Sequence, residues 1–117
     1  MSGPAVGVTG GGGAAPASFE IVATAPGRLA VRGSVTFANA RSARNEGLHA
    51  LRTAGGQDLE MDCAGITHSD SAGLAVMLDW MAVMKREGRP LRFAHLPQGL
   101  LAVARISGVE EMLQKGV

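Results

Sequence analysis

Strand and helix patterns alternate along this 117-residue sequence, and the alternation predicts a single α/β domain on a small mixed sheet of about four strands. Three stretches carry the prediction. "QDLEMDC" sets Leu59, Met61 and Cys63 on one side and Asp58, Glu60 and Asp62 on the other, the period-two pattern of a strand with one wet face. "FEIVAT", "PG" and "RLAVRGSV" read as two strands joined by a turn. "HSDSAGLAVMLDWMAVM" opens on polar residues and then runs thirteen positions with Asp79 as its only charge, the pattern of a capped and heavily buried helix.

The remaining elements fall between these. A helix capped by Thr36 or Asn39 runs to about Ala54 and stops at Gly55 and Gly56. Asn45 and Gly47 weaken its interior, so packing through Phe37, Ala40, Leu48 and Leu51 has to hold it. The central helix spans about Ser71 to Glu87 and is stopped by Gly88 and the Arg89-Pro90 step. "LRFAHL" is a further strand, Pro97 opens a helix through Ile106, and "VEEMLQK" is a last short turn. The order is β-β-α-β-α-β-α-α, with no internal repeat. Residues 1–18 hold only Met, Gly, Ala, Pro, Ser, Val and Thr, too little to offset ordering entropy, and read as a flexible tail before a domain over residues 19–117.

Composition excludes several functions. Eleven bases against ten acids give a net charge of +1, so there is no electrostatic case for nucleic acid. One cysteine, Cys63, rules out an internal disulfide framework and fits a reducing compartment. No apolar run is long enough to span a bilayer, and the N-terminus lacks the charged and apolar regions of a secretory signal, so the chain is expected to be cytoplasmic. The four glycines at 10–13 lack the following Lys-Ser/Thr of a phosphate loop.

The polar cluster His68, Ser69, Asp70, Ser71 invites a catalytic reading, but no G-x-S-x-G elbow surrounds Ser71. Asp62, Cys63, His68 and Asp70 match no standard metal-ligand spacing, and no metal or other cofactor is expected. Asp70 or Ser71 suits a helix cap, and a hydroxyl at a helix start also tolerates added negative charge. Along the helix, Leu74, Met77, Leu78, Met81 and Met84 form one apolar stripe and Val76, Trp80 and Val83 a second. The second is covered either by the helix-1 region or C-terminal segment of the same chain, or by a partner with Trp80 as anchor; the partner reading is adopted. Lys85, Arg86, Arg89 and Arg92 read as a solvated basic face near the helix end.

"LEMDCAGITHSDSAGLAVML" resembles the signature of STAS domains, the anti-sigma-factor-antagonist fold, with Asp62 at the strand end and Asp70, Ser71, Gly73 and Leu74 in the D-S/T-x-G-L opening of the helix. The resemblance covers residues 19–113. "GSVTFANA", "DSAGLAVMLDW" and "GRPLRFAHLPQGLLAVARISGVEEML" are similar to the MlaB-type branch. The resemblance implies a small mixed sheet with helices mostly on one face. It also implies a non-catalytic subunit that supports the cytoplasmic ATPase (the nucleotide-binding protein) of an ABC phospholipid transporter maintaining outer-membrane lipid asymmetry. Through that ATPase the chain would reach a membrane permease and lie peripheral to the inner membrane. The alternative is an anti-sigma factor antagonist whose Ser71 is the phosphoacceptor of a serine kinase. On either reading the expected partner-binding residues are Thr36, Phe37, Asp70, Ser71, Ala72, Gly73, Val76 and Trp80.

Overall fold

The structure is a computed structural model and describes residues 18–115. The tail expected over residues 1–18 therefore lies, except for Ser18, outside the described residues. Strands β1 (Phe19–Ala25) and β2 (Arg28–Val35) form the expected antiparallel hairpin, followed by α1 (Ala40–Thr53) and β3 (Leu59–Ser69). Helix α2 (Ser71–Arg86), strand β4 (Leu91–Ala94), helix α3 (Gln98–Ile106) and helix α4 (Glu110–Lys115) complete the chain. The sheet order is β1-β2-β3-β4, with β2–β3 and β3–β4 parallel, so the sheet is mixed as the element order requires.

Period-two patterning decides which face is covered. Leu29, Val31 and Val35 on β2, Leu59, Met61, Cys63 and Ile66 on β3, and Leu91 and Phe93 on β4 are buried in one core. Their neighbours Arg28, Arg32, Glu60, Asp62 and Arg92 stay exposed or half-exposed on the opposite face, where Arg28 pairs with Glu60 and Arg32 lies 3.7 Å from Glu20.

Strand β3 is longer than the sequence indicates. Residues 64–69, expected as loop, continue the parallel pairing as far as Val35 opposite Ser69, with register shifts that absorb the irregular stretch. Helix α1 begins without a side-chain cap bond. Asn39 instead turns backwards, its Oδ1 accepting from the Thr36 N–H and its Nδ2 donating to the Ser34 carbonyl. Thr36 Oγ1 accepts from the Ala38 N–H. These bonds fold residues 36–39 into a tight loop at the end of β2.

The second apolar stripe of α2 is covered by α1 of the same chain. Trp80 is 0% exposed, and its indole N–H donates to the Arg44 carbonyl at 3.2 Å. The ring lies on Gly47, where an added β-carbon would come within 2.3 Å of it. Gly47 is therefore the gap in α1 that admits the tryptophan, at the cost of about 1 kcal/mol in helix propensity. Trp80 is a core residue and not the surface anchor expected from the sequence; Val76 and Val83 are buried with it. In the first stripe Leu74, Met77, Met81 and Met84 are buried as expected, while Leu78 is only half-buried.

Arg89 departs from the expected solvated face as well. Its guanidinium donates to the carbonyls of Leu51, Arg52, Ala54, Gly55 and Gly56 at 2.6–3.4 Å. It thereby satisfies the C-terminal carbonyls that α1 leaves open and ties them to the start of β4.

Candidate partner-binding surface

The D-S-A-G opening of α2 folds as a cap. Asp70 is extended, and its Oδ1 accepts from the Gly73 N–H at 3.0 Å, the capping geometry expected of this residue. Its second oxygen accepts from the Phe37 N–H at 3.2 Å. One carboxylate thus joins the start of α2 to the loop between β2 and α1, a link the sequence does not disclose because the two segments are 33 positions apart.

Gly73 is buried and faces inward. A β-carbon there would lie 1.9 Å from the Val35 carbonyl oxygen, so only glycine lets α2 start against the end of β2. Its expected contact with a partner is replaced by this contact with the chain's own backbone. Leu74 sits in the core beneath the cap, and the expected roles of Val76 and Trp80 in direct docking are likewise withdrawn by their burial.

What remains outside is compact. Phe37 is 80% exposed on its loop, Ser71 is exposed at the first position of α2, and Thr36 and Ala72 are half-exposed. An open groove of about 970 Å³ continues from there between α1 and α2. Alanines 40, 72, 75 and 82 and Leu78 make it apolar, Arg41 lies on its α1 side, and Arg44 pairs with Asp79 across it. Sequence periodicity pointed to the wrong stripe: the accessible face of α2 is the alanine-rich one. Small side chains allow close approach of another backbone, so this face suits a docked helix better than a small polar substrate.

The polar cluster does not assemble a catalytic site. The His68 ring nitrogen lies 3.2 Å from Thr67 Oγ1, and Ser71 has no hydrogen bond to a base among the described residues. Asp62 and Asp70, both in the sequence signature, do not meet. Asp62 lies seven residues before the end of β3, roughly 20 Å along the strand. There it accepts from the Ala64 N–H at 2.9 Å and faces His95 at 3.1 Å, and these partners hold its carboxyl below the usual range. Burial, reinforced by Asp62, pushes the Cys63 thiol up to about 12, which leaves it inert. Among the described residues, no three His, Cys, Asp or Glu side chains are grouped to hold a metal ion.

A family model described as "Mlab, STAS domain" matches residues 22–114. The chain belongs to the STAS domain family. This STAS domain also resembles the solved structure of the anti-sigma factor antagonist SpoIIAA in its unphosphorylated form, with a TM-score of 0.62 and 14% identity. The match covers 80% of this chain and 84% of that one. At that identity the likeness establishes the fold: a mixed sheet with helices on one face. No curated protein matches the sequence.

Proposed function

We propose that this STAS domain is a non-catalytic interaction subunit that docks on the cytoplasmic ATPase of an ABC phospholipid transporter and supports its assembly, on the inner side of the inner membrane. The observation that carries the reading is the continuous surface formed by Phe37, Thr36, Ser71 and Ala72 and the alanine-lined groove, with Asp70 fixing its two halves together. The MlaB-type description of the matching family supports the transporter branch. A phenylalanine so exposed beside a small-residue groove is the usual composition of a docking anchor with a flat apolar neighbour. No described helix is long and apolar enough to cross a membrane, so membrane association would run through the ATPase and its permease.

A second reading is favoured by one observation. Ser71 is exposed at the first position of α2, where a phosphate would be tolerated by the helix start, and the fold likeness is to an anti-sigma factor antagonist. On that reading an anti-sigma factor with serine-kinase activity is the partner.

Affinity purification of the tagged chain from its native cell distinguishes the two. Recovery of a nucleotide-binding ABC subunit, lost in Phe37→Asp and in Ala75→Arg but kept in Arg92→Ala on the open sheet face, supports the transporter reading. Recovery of an anti-sigma factor, with phosphate on Ser71, replaces it with the second. Retention of the ABC subunit by both surface variants refutes the surface assigned here.

A further inference from the structure

The groove between α1 and α2 is apolar along its length and framed by cations. Two ion pairs, Arg44 with Asp79 and Arg52 with Glu87, join the helices, and each spans 35 positions of sequence. The helices therefore run parallel and in step, and by the same offset Arg41 is level with Val76. On α2 the groove-side row Ala72, Ala75, Asp79 and Ala82 advances by three and four residues, and the next position of that row is Arg86. Arg41 is exposed on the α1 wall and Arg86 is exposed beyond the far end. They stand about ten residues, or about 15 Å, apart along the helix axes.

The protein's own carboxylates are committed elsewhere. All ten Asp and Glu side chains belong to the described residues, because residues 1–17, 116 and 117 contain none. Among the described residues none of them forms an ion pair with Arg41 or Arg86. Asp79, inside the groove, is held by Arg44, and Glu87, next to Arg86, is held by Arg52. Asp70, at the groove mouth, accepts from the Phe37 and Gly73 N–H groups. Arg41 also lies in the first turn of α1, which has no acidic residue and where the helix dipole disfavours a cation. Folding gives no reason for an arginine at that place, whereas an anion brought by a partner does.

We infer that the groove takes an acidic amphipathic helix of the partner. Its stripe of small or apolar residues lies on the alanines, and a carboxylate at each end of the stripe pairs with Arg41 and Arg86. The inference rests on the transporter reading above and narrows the contact on the ATPase to one surface helix. Two of that helix's acidic residues stand about 7–14 positions apart, two to four turns, a range that allows for the reach of the two guanidinium groups. Charges matched at both ends of an apolar contact fix its register and reject a basic helix.

The test uses the ATPase complex recovered with the tagged 117-residue chain. Arg41→Lys combined with Arg86→Lys keeps both charges and supplies amines that a carbodiimide joins to carboxylates in direct contact. Lys85 and Lys115 are the only other lysines, so background links are assignable. Mass spectrometry is expected to find the two introduced lysines joined to acidic residues of one ATPase helix, about 7–14 positions apart. Arg41→Glu is expected to lower recovery at least about tenfold, although an acid in the first turn of α1 favours the helix and hence the fold. Arg92→Glu, on the open sheet face, should leave recovery unchanged. Absence of links in the recovered complex, or links outside a single helix, overturns the acidic helix. So does full recovery by Arg41→Glu while Phe37→Asp and Ala75→Arg still lose the ATPase, and in that case the docking surface stands. Full recovery by all three variants, or no ATPase recovered by the parent, overturns the docking reading and this inference with it.

Discussion

Replacing Gly47 with alanine sets two known effects against each other, and the structure decides the sign. Alanine in a helix interior is favoured over glycine by about 1 kcal/mol, so propensity alone predicts a more stable protein. But the new methyl would lie 2.3 Å, 2.4 Å and 2.5 Å from Cε2, Cζ2 and Nε1 of Trp80. Carbon atoms in contact prefer about 3.5–4.0 Å, so ring or helix must give by more than 1 Å. The indole has nowhere to go: it is 0% exposed, its N–H is held by the Arg44 carbonyl, and Phe19 packs against its ring at 6.2 Å between centroids. Overpacking of this kind, the backbone shift it forces in α1 included, costs about 2–3 kcal/mol, the upper part of the usual range, because three ring atoms lie inside contact distance at once. The expected net effect of Gly47→Ala is a loss of about 1–2 kcal/mol, or roughly 5–15 °C in Tm for a domain of this size. Urea unfolding followed by far-UV circular dichroism, and by the fluorescence of the single tryptophan, measures it. Trp80→Phe removes much of the clashing ring, so Gly47→Ala in that background should cost less than it does alone. An unfolding midpoint raised by Gly47→Ala would refute the seat assigned to Trp80.

Four further outcomes are expected. Asp70→Ala removes the α2 cap and the hold on Phe37 together, and should cost about 1–2 kcal/mol in urea unfolding while weakening partner recovery more than Ser71→Ala does. Arg89→Lys should lose most of what Arg89→Met loses, about 2 kcal/mol by thermal unfolding, because an ammonium cannot span five carbonyls. Cys63 should resist iodoacetamide at pH 8 in the folded protein and react only on unfolding, detected by mass spectrometry. Since its folded pKa is raised to about 12, its contribution to stability is present below the unfolded value of 9.0 and is lost as pH rises toward 12. Asp62 and Glu87 have lowered folded values, Asp62 mainly from the Ala64 N–H and Glu87 mainly from Arg52. Their contributions are present above the unfolded carboxylate range and lost on acidification, so Asp62→Asn with Glu87→Gln should flatten the acid side of the stability profile.

The fold was legible because its signals are local. The alternation over Leu59, Met61 and Cys63, the Pro26-Gly27 turn and the Asp70 cap each lie within a few residues and each appear where expected. Errors arose where a long-range contact decides. The composition of α2 correctly implies cover on two sides, but periodicity is silent on whether a sister helix or another protein provides the second cover. The answer lies in Gly47, a weak point of α1 by helix propensity and the complement of Trp80 in the packed structure. The role of Arg89 is hidden for the same reason, since its five acceptors come from a segment more than 30 residues earlier. The candidate surface is half legible: Ser71 and Thr36 are accessible as expected, and Phe37, expected also to pack helix 1, lies before α1 and is 80% exposed, whereas the alanine-lined groove produces no hydrophobic signal strong enough to stand out.

The divided carboxylate of Asp70 has a kinetic consequence. Because it holds the Phe37 loop and the α2 start in one arrangement before any encounter, docking on the surface proposed above would leave little chain ordering for the moment of contact. Changes to Phe37 itself should then appear mainly as shorter residence times, with capture rates nearly constant. Loosening Asp70 would do the opposite and slow capture, since only a fraction of molecules would present both halves together.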